Sequence, residues 1–238
     1  MIAPAVLPSS REDLSEKLAL IEKLPGVSRV QIDVVDDSVA TPASWPYNAE
    51  EGIEAWVARG EMLPGLHAIQ YEIDLMCTDA ARAAAVWAAA GASRFIFHAA
   101  KGVDLPKLIT AVRAHLGCER GSCVVSIGAA FASDTNPAAV EAVVRQVDFI
   151  QFMGIARIGR QGEPFDPRVI KTVAAFHALH PDIPVQVDGG VLLENAKTLL
   201  NAGATDLVVG SGILKAINPA TVFSSLQSLQ SSGARTIY

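Results

Sequence analysis

Two kinds of apolar spacing alternate along the whole chain. Short, nearly continuous apolar runs are typical of buried strands, whereas apolar residues three and four positions apart are typical of amphipathic helices. The short runs predict strands at Ile2–Leu7, Arg29–Val35, His67–Met76, Arg94–His98, Ser122–Ile127, Phe149–Met153, Ile183–Asp188 and Asp206–Val209. The segments between them predict helices at Ser10–Leu24, Ala49–Arg59, Asp79–Ala90, Leu105–Leu116, Pro137–Gln146, Asp166–Leu179, Leu192–Ala202 and Ile213–Leu229.

The predicted strands and helices form repeated units with no linker or change of composition between them. Parallel strands that are buried on both faces need crossover helices, so this alternation over 238 residues predicts a single-domain (β/α)8 TIM barrel at residues 1–230. Residues 231–238 are polar and are predicted to form a frayed tail. An open doubly wound sheet is less favoured, because no G-x-G-x-x-G motif follows the first strand.

Composition narrows the class of protein. Hydrophobic residues make up 50% of the chain and the formal net charge is −6, so we expect a large core and no nucleic-acid partner. The cysteines Cys77, Cys118 and Cys123 lack metal-site spacing, which predicts a reducing compartment. The N-terminus lacks a basic signal region, and the alanine-rich stretch Ala80–Ala90 is too short to cross a bilayer. We therefore expect a cytoplasmic protein without a membrane partner.

Polar side chains lie at the carboxyl ends of several predicted strands, which is where barrels of this kind place their active sites. Asp33 and Asp188 each follow an apolar run, and burying a carboxylate is costly unless it has a partner or a function. We expect these two to act as a paired acid and base. Asp36 and Asp37 are interpreted as solvated loop residues, and His98 as a core histidine that bonds a neighbour. The further candidate residues toward the ends of these strands are Gln31, Glu72, Asp74, Met76, Gln151 and Met153.

Glycine clusters follow the last two strands. Gly189 and Gly190 come after strand 7, and Gly210 and Ser211 come after strand 8. Glycine lets backbone N–H groups approach an anion closely, and the loops after these strands are the usual phosphate site of barrels. The clusters therefore predict a phosphate site, with simple tight turns and helix caps as the alternative.

A loop of unusual composition, residues 154–165, follows strand 6. It contains three glycines and two arginines, a composition that suits a mobile lid over a phosphorylated ligand. Gly159 and Gly162 are predicted to contact that ligand. An ordinary solvated loop is the alternative.

Together these segments resemble the ribulose-phosphate 3-epimerase family. Gln31–Asp36 resembles its His-x-Asp-x-Met-Asp motif, and Ile73–Met76 resembles its Val-His-Leu-Met. Val187–Gly190 matches the family pattern without change. The remaining similar segments are Ile2–Leu7, Phe97–His98, Met153–Phe165 and Gly210–Ser211. The resemblance implies a ribulose-phosphate-binding TIM barrel.

The resemblance further implies an isomerase of carbohydrate metabolism. Such an enzyme would epimerise a phosphorylated ketose like ribulose 5-phosphate, a pentose phosphate, at C3, with Asp33 and Asp188 as the proton-transferring pair. Its phosphorylated sugar would contact Met76, Met153, Gly159, Gly162, Gly189, Gly190, Gly210 and Ser211.

The metal site implied by the resemblance departs from the family pattern. The family holds one divalent metal through two aspartates and two histidines. Here Gln31 and Asp74 replace the histidines, so the implied ligands are Gln31, Asp33, Asp74 and Asp188. An all-oxygen set favours Mg²⁺ or Mn²⁺ over Zn²⁺ or Fe²⁺. Without a metal, three close carboxylates cannot all stay ionised cheaply, so at least one pKa should rise.

Other functions stay open. A fold does not determine a function, so a non-catalytic phosphosugar-binding paralogue that has lost its metal and needs no cofactor is the alternative. A decarboxylase or Schiff-base aldolase is less favoured, because the region Glu72–Cys77 lacks the Asp-x-Lys-x-x-Asp signature and Lys101 is the only lysine near the expected mouth. A homo-oligomer is compatible with the sequence.

Overall fold

The computed structural model describes residues 1–100, 102–121 and 124–233. Its strands pair in parallel in sequence order, and the first also pairs with the last, so the sheet closes into a barrel. The predicted TIM barrel is therefore confirmed. The strands are β1 (Ile2–Val6), β2 (Arg29–Val35), β3 (Gln70–Met76), β4 (Arg94–His98), β5 (Ser126–Ala132), β6 (Phe149–Met153), β7 (Val185–Asp188) and β8 (Asp206–Val209).

Helices cover the outside of the barrel. They are α1 (Arg11–Ile21), α2 (Ile53–Ala58), α3 (Ala80–Ala89), α4 (Leu105–Leu116), α5 (Pro137–Glu141), α6 (Arg168–Leu179), α7 (Leu193–Asn201), α8 (Ser211–Leu214) and α9 (Pro219–Gly233). Ser10 caps α1 by accepting a hydrogen bond from the backbone N–H of Asp13 at 3.1 Å, as its position before the helix predicts. Gly117 ends α4 in the left-handed conformation. No helix in the described part of the chain is long and apolar enough to cross a membrane.

The fifth strand differs from its prediction. The apolar run predicted Ser122–Ile127, but β5 is Ser126–Ala132 and pairs Arg94 with Ser126 in register. Its sequence is rich in glycine and alanine, which are poor strand formers, and burial between β4 and β6 overrides that preference. Gly128 is needed there, because a Cβ at this position would lie 2.4 Å from the ring of Phe149.

Other predicted boundaries also change. The single helix predicted at Ile213–Leu229 is two helices, because Pro219 starts a new one, and α9 runs into the segment predicted as a tail. The helices predicted at Ala49–Arg59 and Pro137–Gln146 are shorter than expected, since only α2 and α5 within them are helical. Lys101, Ser122, Cys123 and residues 234–238 lie outside the described residues.

The interior of the barrel contains buried polar side chains beside small apolar clusters, whereas the layer between sheet and helices is apolar. Trp45 packs edge-on against Trp56 and Trp87 in that outer layer, at ring distances of 5.4 and 5.9 Å. Alternate strand residues point inward instead. The inward-facing buried polar residues are Gln31, Glu72, Asp74, Arg94, Gln151 and Gln186.

Candidate active site

Three aspartates from separate strands meet at the mouth of the barrel. Asp33 and Asp74 are paired in register on the adjacent strands β2 and β3, and Asp188 is the last residue of β7. One carboxylate oxygen from each lies within 4.8 Å of the others. Parallel strands end at one rim, so residues far apart in sequence converge there.

The side chain of Gln31 lies between two of these aspartates. Its amide nitrogen donates to Asp33 Oδ1 at 2.8 Å and to Asp188 Oδ2 at 3.0 Å. Its oxygen faces Gln186 Nε2 at 3.3 Å. Gln31 thus presents donors to the carboxylates, and it would have to turn its amide to serve as the predicted metal ligand.

Asp74 is held by two further donors. His98 Nε2 lies 2.5 Å from Asp74 Oδ1, and Gln151 Nε2 lies 3.1 Å from Asp74 Oδ2. The interpretation of His98 as a histidine that bonds a neighbour agrees with this contact. The sequence did not indicate that the neighbour is one of the clustered aspartates. The position of His98 at the end of β4, next to the strand that carries Asp74, is the signal that could have indicated it.

The surroundings of Asp33 and Asp188 raise the pKa values of both carboxyls. Burial, with the charges of Asp188 and Asp74, raises the pKa of Asp33 well above its ordinary value. Burial and the charge of Asp74 raise the pKa of Asp188 to about 7. Burial opposes the charged form of His98, but the Asp74 carboxylate raises the pKa of the imidazole overall. The expected rise of at least one carboxyl pKa is confirmed, and a pKa near neutrality suits a general acid or base.

A cavity of about 290 Å³ opens above the aspartates. The structure brings the predicted catalytic and ligand-contacting residues together in its wall. These are Asp33, Met76, Met153, Gly159, Gly162, Asp188, Gly189, Gly190, Gly210 and Ser211. A larger cavity of about 800 Å³ lies over β3 and β4 and shares only Met76 with this wall. The smaller cavity is the candidate active site, because it contains the paired aspartates.

The glycines after β7 adopt a backbone that other residues rarely reach. Gly189 and Gly190 have φ values of 99° and 65°. A Cβ on Gly190 would lie 2.7 Å from the Cα of Phe165, so only glycine lets the two loops approach. This arrangement leaves a cradle of backbone beside the aspartates.

The loop at residues 154–165 crosses the mouth of the cavity. Gln161 Nε2 reaches the carbonyl oxygen of Ala5 at the end of β1, at 3.4 Å. Arg160 reaches the carbonyl oxygen of Thr41, in the loop after β2, also at 3.4 Å. Arg157 instead pairs with Glu163 at 2.9 Å. The loop therefore covers the paired aspartates, and it has the position that a lid requires.

Residues 1–214 match the family model described as the ribulose-phosphate 3 epimerase family. The chain belongs to this family. It is 25% identical to ribulose-phosphate 3-epimerase 1 of Cupriavidus necator, over 94% of this chain and 88% of that protein. It is 29% identical to the ribulose-phosphate 3-epimerase of Schizosaccharomyces pombe, over 66% of this chain and 65% of that one. The match to the rice cytoplasmic isoform, at 33% identity, spans only 30% of that relative.

Solved structures share the fold of this family member at lower identity. A 3-hexulose-6-phosphate synthase from Salmonella typhimurium superposes with a TM-score of 0.66 at 16% identity, over 98% of this chain and 99% of that one. A phosphoribosyl anthranilate isomerase from Thermococcus kodakaraensis gives 0.60 at 14% identity, over 99% of each chain. At such identities the likeness concerns the fold alone.

The three clustered carboxylates fit a divalent cation that is bound through oxygen. Their ligand atoms are close enough to share one ion, and carboxylate oxygen suits hard cations. Gln31 does not extend this set as it is oriented, because its nitrogen faces the carboxylates. Among the described residues, Asp33, Asp74 and Asp188 are the group whose ligand atoms could share one ion.

Proposed function

We propose that this chain epimerises a phosphorylated ketose, ribulose 5-phosphate or a close analogue, at C3 by two-base proton transfer. The observation that carries the proposal is the placement of Asp33 and Asp188 in the wall of one small cavity with the glycine cradle. A cavity of about 290 Å³ is near the lower end of the ~300–1,000 Å³ range of ligand pockets. It suits one small sugar phosphate.

The phosphate is held by backbone N–H groups of Gly189, Gly190, Gly210 and Ser211. Anchoring this end places C3 between the two aspartates. One carboxylate removes the C3 proton from one face of the sugar, and the other carboxyl group delivers a proton to the opposite face. The raised pKa values allow one member of the pair to be protonated while the other is ionised.

Negative charge develops on the substrate oxygens during proton removal, and it needs electrostatic stabilisation. A divalent cation held by Asp33, Asp74 and Asp188 would supply that stabilisation as a Lewis acid when bound. The lid at residues 154–165 excludes water from the cavity, and Met76 and Met153 line its apolar side.

Isotope exchange tests the proposal. Ribulose 5-phosphate incubated with the protein in deuterium oxide should gain deuterium at C3 and convert to xylulose 5-phosphate, as NMR detects. Exchange is measured in chelator and again with Mn²⁺ or Mg²⁺ added. Binding of the sugar phosphate without exchange under any of these conditions would support the non-catalytic paralogue instead.

The lid arginine Arg160 is expected to contribute to substrate affinity. It lines the cavity, and no carboxylate among the described residues pairs with it, whereas Arg157 is neutralised by Glu163. A hydrogen bond between charged groups contributes about 1.5–3 kcal/mol. Arg160→Gln should therefore raise the KM for the phosphosugar by about tenfold or more, with kcat little changed. The matched control Arg157→Gln should leave KM nearly unchanged, and equal effects of the two changes would contradict this prediction.

Metal binding is expected to be weak and to favour Mg²⁺ or Mn²⁺, because the clustered ligands are oxygens. Elemental analysis of protein purified without added metal should find little zinc or iron. Gln31→His combined with Asp74→His should raise zinc affinity, since imidazole suits that ion. One tightly held zinc per unmodified chain would show the prediction to be wrong.

Location and assembly stay predictions. One relative is named as a cytoplasmic isoform, which supports the expected cytoplasmic location of this chain. Size-exclusion chromatography with light scattering would determine whether the chain forms a homo-oligomer.

A further inference from the structure

Below the three aspartates, buried polar side chains form one continuous hydrogen-bonded set inside the barrel. We call this set the buried relay. Its members, each at most 8% exposed, are Arg94, Glu72, Gln186, Gln151 and Gln31. Buried polar networks are stable only when every group finds a partner, so each amide in the relay is constrained in orientation.

The lower end of the relay determines how Gln186 is turned. Arg94 can only donate, and its Nε bonds Glu72 Oε2 at 2.7 Å. The other Glu72 oxygen accepts from Gln186 Nε2 at 2.6 Å, while Gln186 Oε1 faces an Arg94 nitrogen at 3.4 Å. Turning this amide around would set its oxygen against the carboxylate and its nitrogen against the guanidinium. Gln186 therefore presents its nitrogen to the upper part of the barrel.

The orientation of Gln186 in turn constrains Gln31, the member of the relay nearest the mouth of the barrel. Gln186 Nε2 has two hydrogens, and its nearer acceptors are Glu72 Oε1 at 2.6 Å and Gln151 Oε1 at 2.8 Å. Gln31 Oε1 lies at 3.3 Å from the same nitrogen, and a turned Gln31 would set its own nitrogen against this donor, so the Gln31 nitrogen faces the mouth. There Gln31 Nε2 donates one hydrogen to Asp33 Oδ1 at 2.8 Å and the other to Asp188 Oδ2 at 3.0 Å. A turned Gln31 would place a third oxygen beside two carboxylates. The contact with Gln186 below and the contacts with the aspartates above therefore favour the same orientation of the Gln31 amide.

We propose that Gln31 is a positioning residue, whose N–H groups hold Asp33 and Asp188 together so that this task does not require a bound cation. Two buried carboxylates this close repel each other, and charge-assisted hydrogen bonds from a shared donor offset that repulsion. Gln31 is fully buried and has Gln186 below it, so its amide group has little freedom to turn away from the aspartates. The expected effect of Gln31 on proton exchange rests on the proposed function, whereas its expected effect on cation binding does not.

Two variants test the proposal. Gln31→Glu keeps the shape of the side chain but replaces the donor with a fourth carboxylate. Mn²⁺ affinity, measured by calorimetry, should rise about tenfold or more, because the affinity of a site built from oxygen ligands increases with the charge of those ligands. Gln31→Met keeps the volume and removes the donor without adding a ligand, and it remains informative if the Glu variant does not fold. The matched control is Gln227→Glu on helix α9, outside the barrel. Among the described residues, the hydrogen bond of its side chain goes to the carbonyl oxygen of Gly26 at 3.4 Å.

The expected results separate positioning from folding. With Mn²⁺ present to supply the charge stabilisation, unmodified protein should exchange the C3 proton, and both Gln31 variants should lose at least about nine-tenths of that rate, whereas Gln227→Glu should not. A merely structural defect would not raise Mn²⁺ affinity in Gln31→Glu. Unchanged Mn²⁺ affinity in Gln31→Glu, or exchange in Gln31→Met that stays at the wild-type rate when Mn²⁺ is present, would each overturn the inference. Absence of exchange under every condition would count against the proposed function instead, and the Mn²⁺ comparison would then decide the inference.

Discussion

Replacing either Asp33 or Asp188 by asparagine is expected to lower the rate of C3 epimerisation by about 10²–10⁴-fold, the usual contribution of a general acid or base. Asparagine keeps the size of the side chain but cannot carry the transferred proton. Both carboxyls lie in the wall of the same cavity, so each has access to the substrate from its own side. The rate is measured with ribulose 5-phosphate in a coupled assay or by NMR.

The two variants should also differ from each other. Because each retains one carboxylate, each should still exchange the C3 proton of one epimer with deuterium oxide, and the preferred epimer should be opposite in the two. Asp134→Asn is the matched control, since Asp134 is exposed and its one ion pair within the described part of the chain is with Arg168 at 3.5 Å. Epimerisation by either variant at more than a tenth of the wild-type rate would contradict the assignment.

The largest effect on stability is expected from Glu72→Ala, which should lower the free energy of unfolding by about 3–5 kcal/mol. Glu72 is fully buried, and it is the carboxylate partner of Arg94, whose side chain is 9% exposed. Removing the carboxylate leaves a guanidinium charge in the barrel without compensation, and it also takes an acceptor from Gln186. Urea unfolding followed by circular dichroism measures the change.

An exposed ion pair and a double variant serve as controls. Glu54→Ala removes an exposed partner of Arg82 and should cost no more than about 1 kcal/mol. Glu72→Leu combined with Arg94→Met removes both buried charges and should be less destabilised than Glu72→Ala, because no unpaired charge remains. If Glu72→Ala proves no more harmful than Glu54→Ala, the buried pair does not have the structural role inferred for it.

The fold was predictable because barrel architecture follows from local periodicity. Four strands, among them Arg29–Val35 and Phe149–Met153, have the predicted limits, since their apolar runs end at clear polar or glycine residues. The limits of β5 were not predictable in the same way. Glycine and alanine carry little strand preference of their own, and the space left beside Phe149 became visible only with β6 in place.

The candidate site, like the fold, was predictable from the sequence only in part. Asp33, Asp188 and the glycines after β7 and β8 could be identified, because every parallel strand of a barrel ends at one rim. The contact between His98 and Asp74 was not predicted, although both residues were noted at strand ends. Hydrogen bonds between strands depend on register and side-chain direction, which the period of one strand does not contain.

By itself, then, the sequence determined the order of the strands and helices, the polar residues at the ends of the strands, and the glycines that only a tight phosphate loop or turn requires. Tertiary structure alone decided what each polar group bonds. Arg94, Glu72, Gln186 and Gln31 come from four different strands, and the amide of Gln31 takes its direction from the other three. The physical reason is that an amide has a donor end and an acceptor end of nearly equal shape, so only its packed neighbours choose between them.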